Sequence, residues 1–221
     1  MRLALFDLDN TLLAGDSDFE WGQFLVERGV LEREAYEALN RQYYEQYVAG
    51  TLDIHEYLGF ALRTLAAHSP GDLARWHEEF MRLRIRPMML PAARELVHGH
   101  AQAGDLCAII TATNSFVTAP ITREFGVPHL IATEPEARDG RFTGRVAGIP
   151  CFREGKVRRL DEWLAGLGRR LSDYAESTFY SDSYNDLALL ERVTRPVAVD
   201  PDEQLAAAAR QRGWAVISLR R

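Results

Sequence analysis

Six polar positions in this chain could do chemistry if folding brings them together. Asp7-Leu8-Asp9 closes the first apolar run, Thr111 closes a later one, Lys156 stands alone, and Asp182-Ser183-Tyr184-Asn185-Asp186 follows a third run. Taken singly, each has an ordinary explanation. An aspartate at a strand end caps a turn, Asp182–Asp186 reads as a helix start with acidic first-turn residues, and Thr111 is a strand-end hydroxyl. Taken together they are harder to dismiss, because several carboxylates crowded at one rim repel each other unless a cation sits among them. Hard oxygen donors of that kind suit Mg²⁺, which keeps several waters and bridges carboxylates to a substrate phosphate. Lys156 is the one lysine among 26 basic residues. Its compact ammonium is not interchangeable with the planar guanidinium found everywhere else in the chain. A fixed positive charge and a divalent cation would together let a carboxylate approach a phosphate dianion.

The elements that must hold these residues are short runs, apolar throughout. They are Leu3–Phe6 into Asp7, Leu106–Ile110 into Thr111, Leu130–Ala132, Thr178–Ser181 into Asp182, Pro196–Val199 into Asp200, and Ala215–Ile217. Continuous apolar runs suit strands covered on both faces, as in a parallel sheet. Helical patterns at Ala92–Ala103 and Val157–Leu167 supply crossovers, which predicts an α/β, doubly wound, Rossmann-like parallel sheet. Ligands of such sheets bind beyond the carboxyl ends of the strands, so Asp7, Asp9, Thr111, Asp182 and Asp186 are expected to converge.

Two interruptions break the alternation. Residues 14–90 contain no strand-like run, and Trp21–Arg28, Arg33–Val48 and Ile54–Ala67 have helical period. This predicts an all-helical domain inserted after the first strand, with residues 1–13 and 91–221 forming the core. The second interruption, Thr133–Ala147, carries Asp139-Gly140, a two-residue turn signal for a β-hairpin.

Composition excludes several classes. At 221 residues, 47% hydrophobic and 26% charged, the chain has ordinary globular usage with room for one α/β domain and an insertion. The 26 basic residues are outnumbered by 32 acidic ones, for a net charge of −6. That balance disfavours nucleic acid as a partner. No apolar run is long enough for a membrane span, and the first apolar stretch is too short for a secretory signal. Cys107 and Cys151 are the only cysteines, and no disulfide framework is inferred. The expectation is a cytoplasmic protein in a reducing compartment. Both monomer and homodimer stay open. The histidines, including His98-Gly99-His100, lack the company of a zinc site and read as structural or surface groups.

The order Asp7-Leu8-Asp9-Asn10-Thr11, Thr111, Lys156, then Ser181–Asp186 resembles the four motifs of the haloacid-dehalogenase-like phosphohydrolases. The resemblance spans the core. It implies that Asp7 is a nucleophile forming an aspartyl-phosphate and that Asp9 is the general acid–base, its main-chain carbonyl binding Mg²⁺. It further implies that Thr111 binds phosphoryl oxygens, that Lys156 neutralises charge, and that Asp182 ligates the metal with support from Asp186. A helical cap between the first two motifs is similar to the branch containing phosphoserine phosphatase. Ala14–Ser17, Ile110–Asn114 and Pro196–Pro201 look most like the bacterial histidinol-phosphatase type. Asp16, nine residues after Asp7, holds the place of an acidic residue that receives a substrate amino group in that branch. Asn114 and Asn185 join it as candidate substrate contacts.

The implied activity is hydrolysis of a small amino-alcohol phosphate, histidinol phosphate first and phosphoserine second. A substrate carboxylate would call for an inward arginine, for which Arg82, Arg84 and Arg86 are candidates. An imidazole would suit aromatic walls such as Phe19, Trp21, Tyr43, Tyr44 and Tyr47, although helical spacing marks most of these as core. A receiver-type phosphoacceptor module is the alternative of another class, and a metal-independent dehalogenase is a third. Asp9 and the insertion argue against the receiver, and the acidic cluster against the dehalogenase.

Overall fold

A computed structural model describes residues 1–220. The apolar runs become β1 (Arg2–Phe6), β2 (Leu106–Asn114), β3 (His129–Arg138), β4 (Arg141–Ala147), β5 (Glu176–Ser181), β6 (Arg195–Val199) and β7 (Ala215–Ile217). They form one sheet in the order β4-β3-β2-β1-β5-β6-β7, parallel except for β4. The order turns back at β1, which pairs with β2 on one side and β5 on the other. Asp7 and Asp182 continue from β1 and β5, the two strands at that turning point, where doubly wound sheets bind their ligands.

Successive side chains of a strand point to opposite faces, and β1 shows what that does here. Leu3 and Leu5 enter one apolar layer with Leu160, Leu164, Leu205 and Ala209, while Ala4 and Phe6 enter the other with Ala93, Val97, Val117 and Ile121. Both faces are buried, which is why the run has no polar alternation.

The chain leaves the core at Leu13 and returns at Met89. These two residues form an isolated antiparallel bridge, and the Ala14 N–H donates to the Met88 carbonyl at 2.8 Å. Between them lie α1 (Ser17–Glu27), α2 (Arg33–Ala49), α3 (Ile54–Ala61), α4 (Arg63–Ala67), α5 (Pro70–Phe80), a π-helical turn (Met81–Ile85) and α6 (Arg86–Met88). Their starts are chemically marked. Asp16, Asp53 and Ser69 accept from first-turn N–H groups of α1, α3 and α5, and Gly50 closes α2 at φ 73°. The helical stretch expected over Ile54–Ala67 is broken at Leu62, and Leu58, Leu62 and Leu65 are all buried around the break.

After the insertion come α7 (Pro91–Gln102), α8 (Ser115–Glu124), α9 (Glu154–Gly166), α10 (Leu187–Leu190) and α11 (Glu203–Arg212). The short run at Leu130–Ala132 proves to be part of one long strand. β3 starts in the parallel sheet beside β2 and runs on to become the first arm of the hairpin with β4. Asp139 (φ 50°) and Gly140 (φ 75°) make the turn with two positive φ values, as a type I′ hairpin requires. The hairpin lies against the insertion: a Cβ added at Gly144 would stand 3.3 Å from Ala66 of α4. Among the described residues, no helix is long and apolar enough to cross a membrane.

Candidate active site

Asp7 follows β1 directly and is only 6% exposed, with its N–H bonded to the Tyr180 carbonyl at 2.9 Å. Lys156 comes to it from the first turn of α9. For that turn to fit, the Pro150 carbonyl must pass over Gly155, where a Cβ would be 2.0 Å from its oxygen. Lys156 is 3% exposed, and its Nζ lies 2.7 Å from Asp7 Oδ1 and 2.7 Å from Asp186 Oδ2. Burial alone would lower the lysine pKa, but the facing carboxylates of Asp186 and Asp7 outweigh it and raise it. Burial pushes Asp7 up, Lys156 pulls it back and Asp186 pushes again, leaving it at about 7.

Thr11 joins the first strand end to the third. Its Oγ1 lies 2.9 Å from Asp182 Oδ1 and 3.3 Å from Asp7 Oδ2, and accepts from the Asp182 N–H at 3.0 Å. One hydroxyl proton is thus shared between two carboxylates. Burial, then the charge of Asp7, drives Asp182 well above the usual range. Among the described residues no group of three or more His, Cys, Asp or Glu side chains is arranged to hold a metal. The available set is smaller: Asp7 and Asp182 side by side, to which the Asp9 carbonyl would be added. These are hard oxygen donors whose mutual repulsion a divalent cation would relieve, so the residues fit Mg²⁺. Asp186 is engaged differently, its Oδ2 accepting from Lys156 and from Ser181 Oγ at 2.7 Å.

Asp9 is turned towards the insertion. Its Oδ1 accepts from the Ser17 N–H at 2.6 Å and its Oδ2 from Thr113 Oγ1 at 2.8 Å, with Thr111 Oγ1 at 3.5 Å. Burial and the charge of Asp16 raise Asp9 to about 6 against these donors, so it can hold or release a proton near neutrality. Thr111 is 1% exposed and accepts from the Thr113 N–H.

The candidate substrate residues are divided. Asp16 caps α1 through the N–H groups of Asp18 and Phe19. It is exposed at the surface, and lost solvation together with the nearby charge of Asp18 raises it to about 6. Asn114 caps α8 through Oδ1, while its Nδ2 lies 3.5 Å from Asp18 Oδ1. Asn185 Oδ1 accepts from Arg153 Nε at 2.9 Å.

Several residues at this rim carried no sequence signal of their own. Thr11 and Ser181 lay inside the quoted motifs. Asp18, two residues past Asp16, accepts from the Tyr57 hydroxyl and is raised to about 6, chiefly by burial. Arg153 holds a backbone conformation rare for an L-residue (φ 51°, ψ −122°), just before Lys156. Conversely, Arg84 is paired with Glu27 and Glu20, and Arg86 with Glu124 at 2.9 Å. Of the aromatic candidates, Trp21 and Tyr43 are buried and Phe19 and Tyr44 exposed, while Tyr47 reaches the core with its hydroxyl 2.9 Å from Ser183 Oγ. Cys107 and Cys151 are buried and unpaired. A surface cavity of about 500 Å³ near Arg195 and Trp214 contains none of the site residues.

Several known proteins are similar to this chain. A family profile described as haloacid dehalogenase-like hydrolase matches residues 4–191. A histidinol-phosphatase of Neisseria meningitidis serogroup C is 44% identical over 220 residues, covering 99% of each chain. A phosphoserine phosphatase of Mycobacterium tuberculosis is 32% identical, covering 98% of this chain and 70% of its own. A crystal structure from Bordetella pertussis Tohama I, of a protein with unknown function, is 57% identical. It superposes with a TM-score of 0.94 over 99% of this chain and 98% of that one. The matched segment runs from the strand that presents Asp7 to the helix after Asp186, and on that ground the chain belongs to the haloacid dehalogenase-like hydrolases.

Proposed function

We propose that this phosphatase is a Mg²⁺-dependent phosphomonoesterase of small amino-alcohol phosphates, with L-histidinol phosphate its first substrate. The observation that carries the reading is the buried Lys156 ammonium fixed between Asp7 and Asp186. The 44% identical histidinol-phosphatase supports the choice of substrate.

Asp7 attacks phosphorus. An Asp7 Oδ–P bond forms as the P–O bond to the alcohol breaks, and Asp9 gives its proton to the leaving oxygen. Asp9, now ionised, takes a proton from water. The resulting hydroxide attacks phosphorus, the Asp7 Oδ–P bond breaks, and inorganic phosphate leaves. A pKa of about 6 suits Asp9 to both halves of this cycle. Lys156 offsets the charge of Asp7 as the phosphate dianion approaches, and Thr111 donates a hydrogen bond to a phosphoryl oxygen. Asp7, Asp182 and the Asp9 carbonyl would hold Mg²⁺, which when bound would supply charge that neutralises the phosphoryl oxygens. Asp186 orients Lys156. Residues 14–90 act as a cap that selects the substrate, with Asp16, Asn114 and Asn185 at its contact with the core. The acidic chain and its unpaired cysteines support a small-molecule role in a reducing compartment, the cytoplasm.

Phosphoserine is the second reading, and Arg153 is what favours it. Its guanidinium reaches Asn185 at the rim and could receive a carboxylate, a role that Arg84 and Arg86 have given to surface pairs. Phosphate release from histidinol phosphate, phosphoserine and phosphoethanolamine, measured side by side with Mg²⁺, tests the proposal. The expected order puts histidinol phosphate first by kcat/KM. Preference for phosphoserine would transfer the assignment to the second reading.

A further inference from the structure

The strand order sets β6 beside β5 with Ser181 opposite Ala198, so the chain leaving β6 runs alongside the loop that carries Asp182 and Asp186. At Asp200 the backbone turns left-handed (φ 41°), and Asp202 then caps α11. Asp202 also reaches sideways. Its own N–H donates to the Asp182 carbonyl at 2.8 Å, and its Oδ2 accepts from the Tyr184 N–H at 2.7 Å.

How this carboxylate divides its oxygens separates it from the other caps. A helix start needs only one side-chain oxygen, and serine serves as well as aspartate. Asp16 and Asp53 follow that rule, each using Oδ1 alone for both first-turn N–H groups of α1 and α3. Asp202 gives Oδ1 to the Leu205 N–H at 2.7 Å and Oδ2 to a segment 18 residues earlier in the chain.

The main-chain donors of the acidic loop show what Oδ2 does there, since each N–H needs an acceptor that can be traced. Ser183 and Asn185 donate to the hydroxyls of Ser181 and Ser183, and Asp186 donates to the Ser183 carbonyl, all within the loop and its strand. Asp182 and Tyr184 donate to other segments, Asp182 to Thr11 Oγ1 at 3.0 Å and Tyr184 to Asp202. Asp182 is therefore gripped from two sides. Thr11 meets its amide and its carboxylate, and Asp202 meets its carbonyl. The same loop presents Asp186 to Lys156.

We propose that Asp202 is a positioning residue for the metal. It holds the 182–186 loop from outside the site, so that the Asp182 carboxylate stays beside Asp7. Groups that orient metal ligands without touching the ion govern affinity in this way. The proposal rests on the Mg²⁺-dependent reading and deepens it, extending the support of the metal ligands to a loop outside the four motifs.

The test reads metal binding without turnover. Mg²⁺ is titrated calorimetrically into the metal-free wild type, Asp202→Ser, Asp202→Thr and Ser69→Ala, with thermal melts to confirm that each is folded. Serine and threonine still cap α11 with their one hydroxyl but leave no acceptor for Tyr184. Ser69→Ala removes the cap of α5 in the insertion and controls for general loosening. Both Asp202 variants are expected to bind Mg²⁺ about tenfold more weakly than the wild type, while Ser69→Ala binds it as tightly. Affinity within about twofold of the wild type in the Asp202 variants, or an equal loss in Ser69→Ala, would overturn the proposal. A wild type that binds no Mg²⁺ would overturn the underlying reading instead.

Discussion

The Lys156 ammonium lies 2.7 Å from Asp7 Oδ1, although 149 positions of chain separate the two residues. Both are buried, and Asp186 closes the other side of the ammonium, so the group has little room to change shape. Lys156→Arg should therefore cost on the order of 100-fold in kcat, because a planar fork cannot occupy a slot cut for a point charge. Lys156→Met should in addition destabilise the fold by roughly 3–5 kcal/mol, as it leaves two buried carboxylates without their cation. Steady-state rates and urea titrations check these, and a near-normal rate for the arginine variant would refute the role given to the ammonium.

Asp7→Asn should abolish turnover while preserving the fold, since the amide fills the same space but is no nucleophile. Acid-quenched wild-type enzyme should carry a phosphoryl adduct that the variant lacks, a difference readable by mass spectrometry. Activity of the variant well above background would contradict a covalent mechanism.

Chelation with EDTA should stop hydrolysis and Mg²⁺ should restore it. Thr11→Val provides the finer test. The hydroxyl that lies 2.9 Å from Asp182 and 3.3 Å from Asp7 would be gone. The Mg²⁺ concentration for half-maximal activity should rise roughly 10–100-fold, the usual effect of removing a group that orients metal ligands. An unchanged requirement would mean that Thr11 orients neither carboxylate for the ion.

The acidic rim gives the metal-free protein a pH-dependent stability. Asp18 sits at about 6 in the fold, chiefly through burial, against about 3.9 in an unfolded chain. Between those values the folded state holds more protons than the unfolded one, so this group's contribution falls as pH rises from about 4 to 6 and levels off above. Asp18→Asn removes that loss. The variant should be close to the wild type at pH 4 and more stable by roughly 1–2 kcal/mol at pH 7, after allowance for the residue's partial exposure. Denaturant melts in EDTA across that range check the sign, and a variant less stable at pH 7 would reverse it.

Sequence reading went furthest where local pattern and final position coincide. Leu3–Phe6 and Thr178–Ser181 are apolar because they lie at the centre of the sheet, and the acidic residues after them are at the rim for the same reason. The outward half of β3 shows in sequence only as an arm of the hairpin at Asp139-Gly140, not as an apolar run, because residues 134–138 leave the covered part of the sheet. The pattern of α8 is interrupted by Pro120 inside it. Asp18, Tyr57 and Arg153 meet the site only through packing between elements far apart in the chain, which no periodicity encodes. Asp16 drew attention by its offset from Asp7, yet much of its carboxylate serves the start of α1, and Asp18 is the one that lines a cavity.

Having its one lysine sealed in α9 gives this protein a built-in probe of its own breathing. A protease that cuts only after lysine has a single bond to attack, and with Lys156 3% exposed that bond is out of reach in the native fold. Two fragments can then appear only from molecules in which the start of the helix has opened, so their yield counts that opening directly. Ligands that tighten the rim should slow the cut in proportion, with no dye or engineered label required.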